Sequence, residues 1–178
     1  MKSAAFILIK TELNAHKVLG SIKESHLVKW ASNIYGPYQI IAYVEDDEND
    51  RPEVIEKYLE DLRSRRFITE LDARVVKGVP GDEKLKSFSV DGEVSAALLI
   101  NVNYKEEKER YVTYNLREIE GVAWARAMWG PNDIIAIVTG ADHEELRNLI
   151  CDDIKTLKGV QTNTTLYCYA NEPLRAAA

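Results

Sequence analysis

Residues 28–44 and 122–138 align without a gap at a constant offset of 94, with nine identities in seventeen positions. Val28, Trp30, Ala31, Gly36, Pro37, Ile40, Ile41, Ala42 and Val44 recur as Val122, Trp124, Ala125, Gly130, Pro131, Ile134, Ile135, Ala136 and Val138. A repeat of this length means one folding unit used twice, and it constrains the architecture more than any other feature of the chain. With 178 residues to share, each half can build only a small core, so the halves are expected to pack on each other.

The elements follow the same order in both halves. In the first, 4–11 reads as a buried strand. Asn14 caps a helix bearing Val18, Leu19 and Ile22. Residues 27–34, with Val28, Trp30 and Ile34 expected on one side, and 38–45 form a hairpin around Tyr35-Gly36-Pro37. Pro52 opens a helix with the stripe Val54, Ile55, Tyr58, Leu59 and Leu62. Residues 67–76 then alternate, with Phe67, Leu71 and Val75 on one face and Glu70, Asp72 and Arg74 on the polar one.

In the second half, 95–102 is a strand, Val112, Leu116 and Ile119 mark a helix, and 122–139 is the hairpin. Asp142 and Glu145 have capping-box spacing before a helix with the stripe Leu146, Leu149, Ile150, Ile154 and Leu157, closed by Lys158-Gly159. The last strand is 160–170, with Val160, Thr162, Thr164, Leu166 and Cys168 expected on one face. Each half is β-α-β-β-α-β, the ferredoxin-like order. The fold class expected is α+β: two ferredoxin-like repeats packed as an intramolecular pseudo-dimer, a dimeric α+β-barrel-like arrangement. The organisation expected is a first repeat over 1–77, a linker over 78–93, a second repeat over 94–172 and a tail over 173–178.

Composition narrows the function. The net charge of −6 and pI near 5.2 give no electrostatic footprint for nucleic acid. No segment has the run of apolar residues that a membrane span needs, and the start does not read as a signal peptide. Cys151 and Cys168 form no motif, which points to unpaired thiols and a cytoplasmic location. His16, His26 and His143 lack metal-ligand spacing. The acidic stretch 46–50 lacks the pattern of a calcium loop, and GVPGDEK at 78–84 is no phosphate loop. Neither a metal nor a cofactor is implied, and no catalytic set stands out.

The stretch 121–167 resembles the effector-binding (RAM) domain of Lrp/AsnC transcription regulators. The matches are Gly121-Val122, Gly130, Asp133, the helix with Glu145-Leu146, Leu157, Gly159-Val160, Thr162 and Thr164. The first half keeps Gly36 and Tyr38 but has Gln39 in the aspartate position, and the second has Asn132 in the tyrosine position. The resemblance covers roughly 4–77 and 95–170. It implies tandem effector domains without the helix-turn-helix, since the first strand is expected to start at Ala4. It also implies a small-molecule effector, an amino acid or related metabolite, bound at junctions, and a homo-oligomer or hetero-assembly with a DNA-binding relative.

The candidate ligand-binding residues are Tyr35, Gly36, Tyr38, Trp129, Gly130, Asn132, Asp133, Thr162 and Thr164. Asp133 suits a ligand amino group, and exposed N–H groups of the turns suit a carboxylate. Each also has a structural reading, as tight turns and good strand formers. The reading is a regulatory effector-binding module. The alternative is a small enzyme of the dimeric α+β-barrel type, an oxygenase, isomerase or haem-related protein.

Overall fold

A computed structural model of the chain describes residues 3–46, 51–78, 90 and 93–169. Most of the acidic stretch, most of the expected linker with its GVPGDEK motif, and the expected tail lie outside the described residues. The first repeat comprises β1 (Ala4–Thr11), α1 (Ala15–Lys23), β2 (Val28–Ile34), β3 (Ile40–Glu45), α2 (Pro52–Ser64) and β4 (Ile68–Val75). The second comprises β5 (Val94–Val102), α3 (Glu109–Arg117), β6 (Val122–Ala127), β7 (Ile134–Gly140), α4 (His143–Asn148) and β8 (Val160–Tyr169). The β-α-β-β-α-β order therefore occurs twice, with strand orders β4-β1-β3-β2 and β8-β5-β7-β6.

The chain divides into two compact units. Of the described residues, one unit holds 3–73 with Cys168 and Tyr169, and the other holds 74–167. Each unit thus includes the end of the other repeat's last strand. In the first, Cys168 and Tyr169 pair with Ile34 and Asn33 of β2. In the second, Val76 bridges to Met128 just beyond β6.

Each unit has its own core between the helices and one sheet face. In the first unit, Ile7, Ile9, Ala42 and Val44 meet Val18, Leu19, Ile22, Leu59 and Leu62. In the second, Leu98, Ile100, Ala136 and Val138 meet Val112, Leu116, Leu146 and Ile150. Full burial of an aliphatic side chain contributes about 1.5–3 kcal/mol, so these stripes are what holds the helices down. Asn14 and Asp142 cap α1 and α4 as expected, their side chains accepting from the backbone N–H groups of His16 and Glu145 at 2.9 and 2.8 Å.

The structure departs from the sequence reading where strand parity changes. A bulge between Val28 and Trp30 puts Val28 opposite Val44 on the helix side and Trp30 opposite Tyr43 on the other face, so the three residues Val28, Trp30 and Ile34 do not share a side. The second repeat has the same bulge between Val122 and Trp124. In β8, the register skips Gln161, so Val160 faces Val102 and the core while Thr162 and Thr164 lie on the opposite face, across from Asn101 and Leu99. One extra residue in a strand inverts every side chain beyond it. The fourth helix also changes character. Leu149–Ile154 is a π-helical segment, with the Lys155 N–H donating to the Ile150 carbonyl at 3.0 Å. The wider turn lets Leu149, Ile150 and Ile154 all stay buried.

No described helix is long and apolar enough to cross a membrane. Among the described residues, no group of three or more His, Cys, Asp and Glu side chains is placed to hold a metal.

Candidate functional site

The turn between β6 and β7 carries a polar network that joins several elements of the second unit. Gly130 has φ 137, a conformation that suits glycine and few other residues. A Cβ there would stand 3.2 Å from Arg74 Cδ. The arginine stem therefore lies directly on the glycine backbone. Two backbone bonds fix the end of the turn: Asp133 N–H donates to the Ile100 carbonyl and Met128 N–H to the Asp133 carbonyl, both at 2.9 Å. On the outer side, Trp129 N–H donates to the Val75 carbonyl at 2.8 Å.

Arg74 inverts the expected alternation of its strand. It is 8% exposed, whereas Val75 is 50% exposed. Its Nη1 donates to Asn132 Oδ1 at 3.0 Å. Asn132 Nδ2 donates to Asn101 Oδ1, and Asn101 Nδ2 to Thr162 Oγ1, both at 3.0 Å. The result is a directional relay from Arg74 through two amides to a hydroxyl on β8. Such networks position their members jointly, because each bond polarises the next.

Asp133 begins a second network. Its Oδ2 accepts the Val102 N–H at 2.8 Å, fastening the turn to the end of β5. Its Oδ1 accepts the Tyr104 hydroxyl at 2.9 Å. The same hydroxyl lies 3.1 Å from Glu109 Oε2 at the start of α3. Desolvation of the hydroxyl end, followed by its bond to Asp133 and the charge of Glu109, pushes the Tyr104 phenol above its ordinary range. Glu109 is in turn paired with Lys77 at 2.8 Å, and the Lys77 ammonium sits 4.2 Å from the centre of the exposed Trp129 ring.

Among the sequence candidates, Trp129, Gly130, Asn132, Asp133 and Thr162 converge in this constellation. Thr164 is exposed on the same face of β8, two residues further along. Tyr35, Gly36 and Tyr38 belong to the other unit. Tyr35 stacks on Tyr169 with centroids 4.4 Å apart. Gly36 has φ 138. The Tyr38 hydroxyl donates to Glu70 at 2.7 Å, and Glu70 pairs with Lys10 at 2.8 Å.

Arg74, Asn101, Tyr104, Glu109 and Lys77 were not among the candidates. Arg74 falls on the face of its strand that alternation assigns to solvent, so spacing along the sequence does not mark it.

Residues 95–172 match the sequence model of the Lrp/AsnC ligand binding domain. The second repeat is thus similar to an Lrp/AsnC ligand binding domain. The Gly130 turn, the Asp133 anchor and Thr162 all lie inside the matched segment, and Arg74 and Lys77 join it from the strand end preceding it.

No curated protein matches the chain significantly. Among solved structures, TTHA0845 from Thermus thermophilus is 28% identical, covering 45% of this chain and 98% of its own at a TM-score of 0.41. The siroheme decarboxylase NirDL is similar over 95% of this chain and 72% of its own, at 12% identity and a TM-score of 0.65. A mutant chlorite dismutase from Candidatus Nitrospira defluvii covers 95% and 91%, at 12% identity and a TM-score of 0.57. The last two likenesses concern the fold alone. They extend over both repeats and agree with the α+β class expected of a duplicated ferredoxin-like chain.

Proposed function

We propose that the chain is a regulatory module that binds an amino acid or related zwitterionic metabolite, and that its first repeat is a diverged copy of the same effector domain. The observation that supports this is the Gly130 turn itself. A buried guanidinium and a carboxylate, Arg74 and Asp133, flank Asn132 at one glycine turn in the segment that matches the Lrp/AsnC ligand binding domain. Opposite charges set on a rigid turn suit a small ligand carrying both a carboxylate and an ammonium group. Thr162 ends the relay with a hydroxyl able to donate or accept. With a net charge of −6, regulation would pass through a protein partner, further copies of the chain or a DNA-binding relative, rather than through direct duplex contact.

A thermal-denaturation screen over the common L-amino acids at millimolar concentration tests the reading. Ligand at a hundred times its Kd stabilises the bound state by about 2.7 kcal/mol, so a clear rise in melting temperature is expected for one chemical group of amino acids. A folded protein with no shift for any of them would sink it.

The enzyme alternative draws on fold likeness to the decarboxylase and the dismutase, and fold does not carry function. The structure places His16 in α1, His26 in the turn before β2 and His143 at the start of α4, none on a strand. A Soret band with haemin that shifts on mutation of one of these histidines would favour the alternative.

A further inference from the structure

The two hairpin turns share a backbone plan and differ in chemistry. Ile40 and Ile134 correspond in the repeat, and they pair with Ile9 and Ile100, so positions on β1 and β5 correspond at an offset of 91. Thr11 and Val102 are therefore equivalent. Gln39 Oε1 accepts the Thr11 N–H at 2.9 Å, just as Asp133 Oδ2 accepts the Val102 N–H at 2.8 Å. Both turns also have glycine at nearly the same positive φ, 138 and 137. The anchoring bond is thus common to amide and carboxylate, and the spare atom of the side chain is what differs. In Asp133 it is a carboxylate oxygen, held by the Tyr104 hydroxyl. In Gln39 it is an NH2 group, which repels an ammonium rather than binding it.

The surrounding positions diverge in the same sense. Lys10 and Asn101 are equivalent. The backbone bonds from Glu12 N–H to the Phe67 carbonyl and from Asn103 N–H to the Gly159 carbonyl make Glu70 and Thr162 equivalent too. The neutral Asn101–Thr162 pair of the second repeat is therefore a Lys10–Glu70 ion pair in the first, with the Tyr38 hydroxyl also on Glu70. By the same correspondence Arg74 and Lys77, which reach the second turn, are matched by Leu166 and Tyr169, neither of them a cation. The second turn carries an anion, Asp133, with the Arg74 guanidinium nearby, while the first turn has Gln39 in that place and the Glu70 carboxylate beside Tyr38 is paired with Lys10.

Resting on the effector-binding reading above, we infer that the chain takes one zwitterionic effector, at the Gly130 turn, and that the Gly36 turn is a structural copy closed by Lys10, Glu70 and Tyr38. The amino acid giving the largest thermal shift is titrated into the 15N-labelled full chain and, separately, followed by calorimetry. The expected result is one ligand per chain, movement of the Gly130 amide resonance and none of Gly36. Asp133→Asn should weaken binding at least about tenfold, the loss expected of one charge-assisted hydrogen bond. Its melting temperature should hold, because an amide oxygen already serves as the anchor at Gln39. Glu70→Gln should leave affinity within about twofold, well under one hydrogen bond's worth. Two ligands per chain, equal movement of both glycines, or equal weakening by Glu70→Gln would overturn the inference while leaving the effector reading standing. Binding of no amino acid would overturn the effector reading, and this inference with it.

Discussion

Glu70 shows how a single carboxylate reports on the first repeat. The Lys10 ammonium, and after it the Tyr38 hydroxyl, hold its carboxyl below the ordinary glutamate range. The folded-state pKa is depressed, so the pair's contribution to stability is present above the unfolded-state pKa and fades as pH falls through the folded value. Carboxyl-selective NMR titration should give Glu70 a pKa below that of a free glutamate, and Lys10→Met should raise it back. A Glu70 that titrates normally in the wild-type chain would remove the ion pair from the account. Arg74 makes the opposite case at the same scale. A charged residue in an alternating strand is expected at the surface, and here it is the apolar neighbour Val75 that is exposed. The guanidinium is kept inside because Asn132 receives it and Gly130 makes room for its stem.

At the level of elements, the helices are held by narrow stripes, and α3 is the clearest example. Its buried residues are Val112, Thr113 and Leu116, with Leu116 fully enclosed. Leu116→Ala should cost about 2–5 kcal/mol, read as a lower urea midpoint with an unchanged slope. A loss below about 0.5 kcal/mol, the size of an ordinary surface change, would mean that α3 is not fastened to the sheet as described. The sequence reading found this stripe, and its counterpart Val18, Leu19 and Ile22, because helical periodicity is written within one segment. The bulges at Lys29, Ala123 and Gln161 were not legible in the same way. Whether a strand skips a residue depends on its partner's register, and alternation within the strand looks unbroken. The same limit hid Tyr104 and Glu109. Their contact with Asp133 joins a loop, a helix start and a hairpin turn that are distant along the chain, and no spacing rule connects them.

For the whole molecule, the relation between repeat and compact unit matters most. Residues 74–77 precede the family match yet pack with it, with Val76 bridging to Met128 and Arg74 lying on Gly130. A fragment cut at residue 94 should therefore lose ligand binding more completely than it loses secondary structure, because the cation and the Lys77–Glu109 pair go with the removed segment. Calorimetry and circular dichroism on fragment 94–172 against the full chain check this; full affinity in the fragment would show that Arg74 is dispensable. The shared anchor at Gln39 and Asp133 has a different kind of consequence. After a duplication, a position whose structural duty falls on one atom leaves the other atom to drift without penalty to folding. Selection can silence or restore recognition in one copy through that second atom alone, so descendants of such a gene can change how many signals they read while keeping the same architecture.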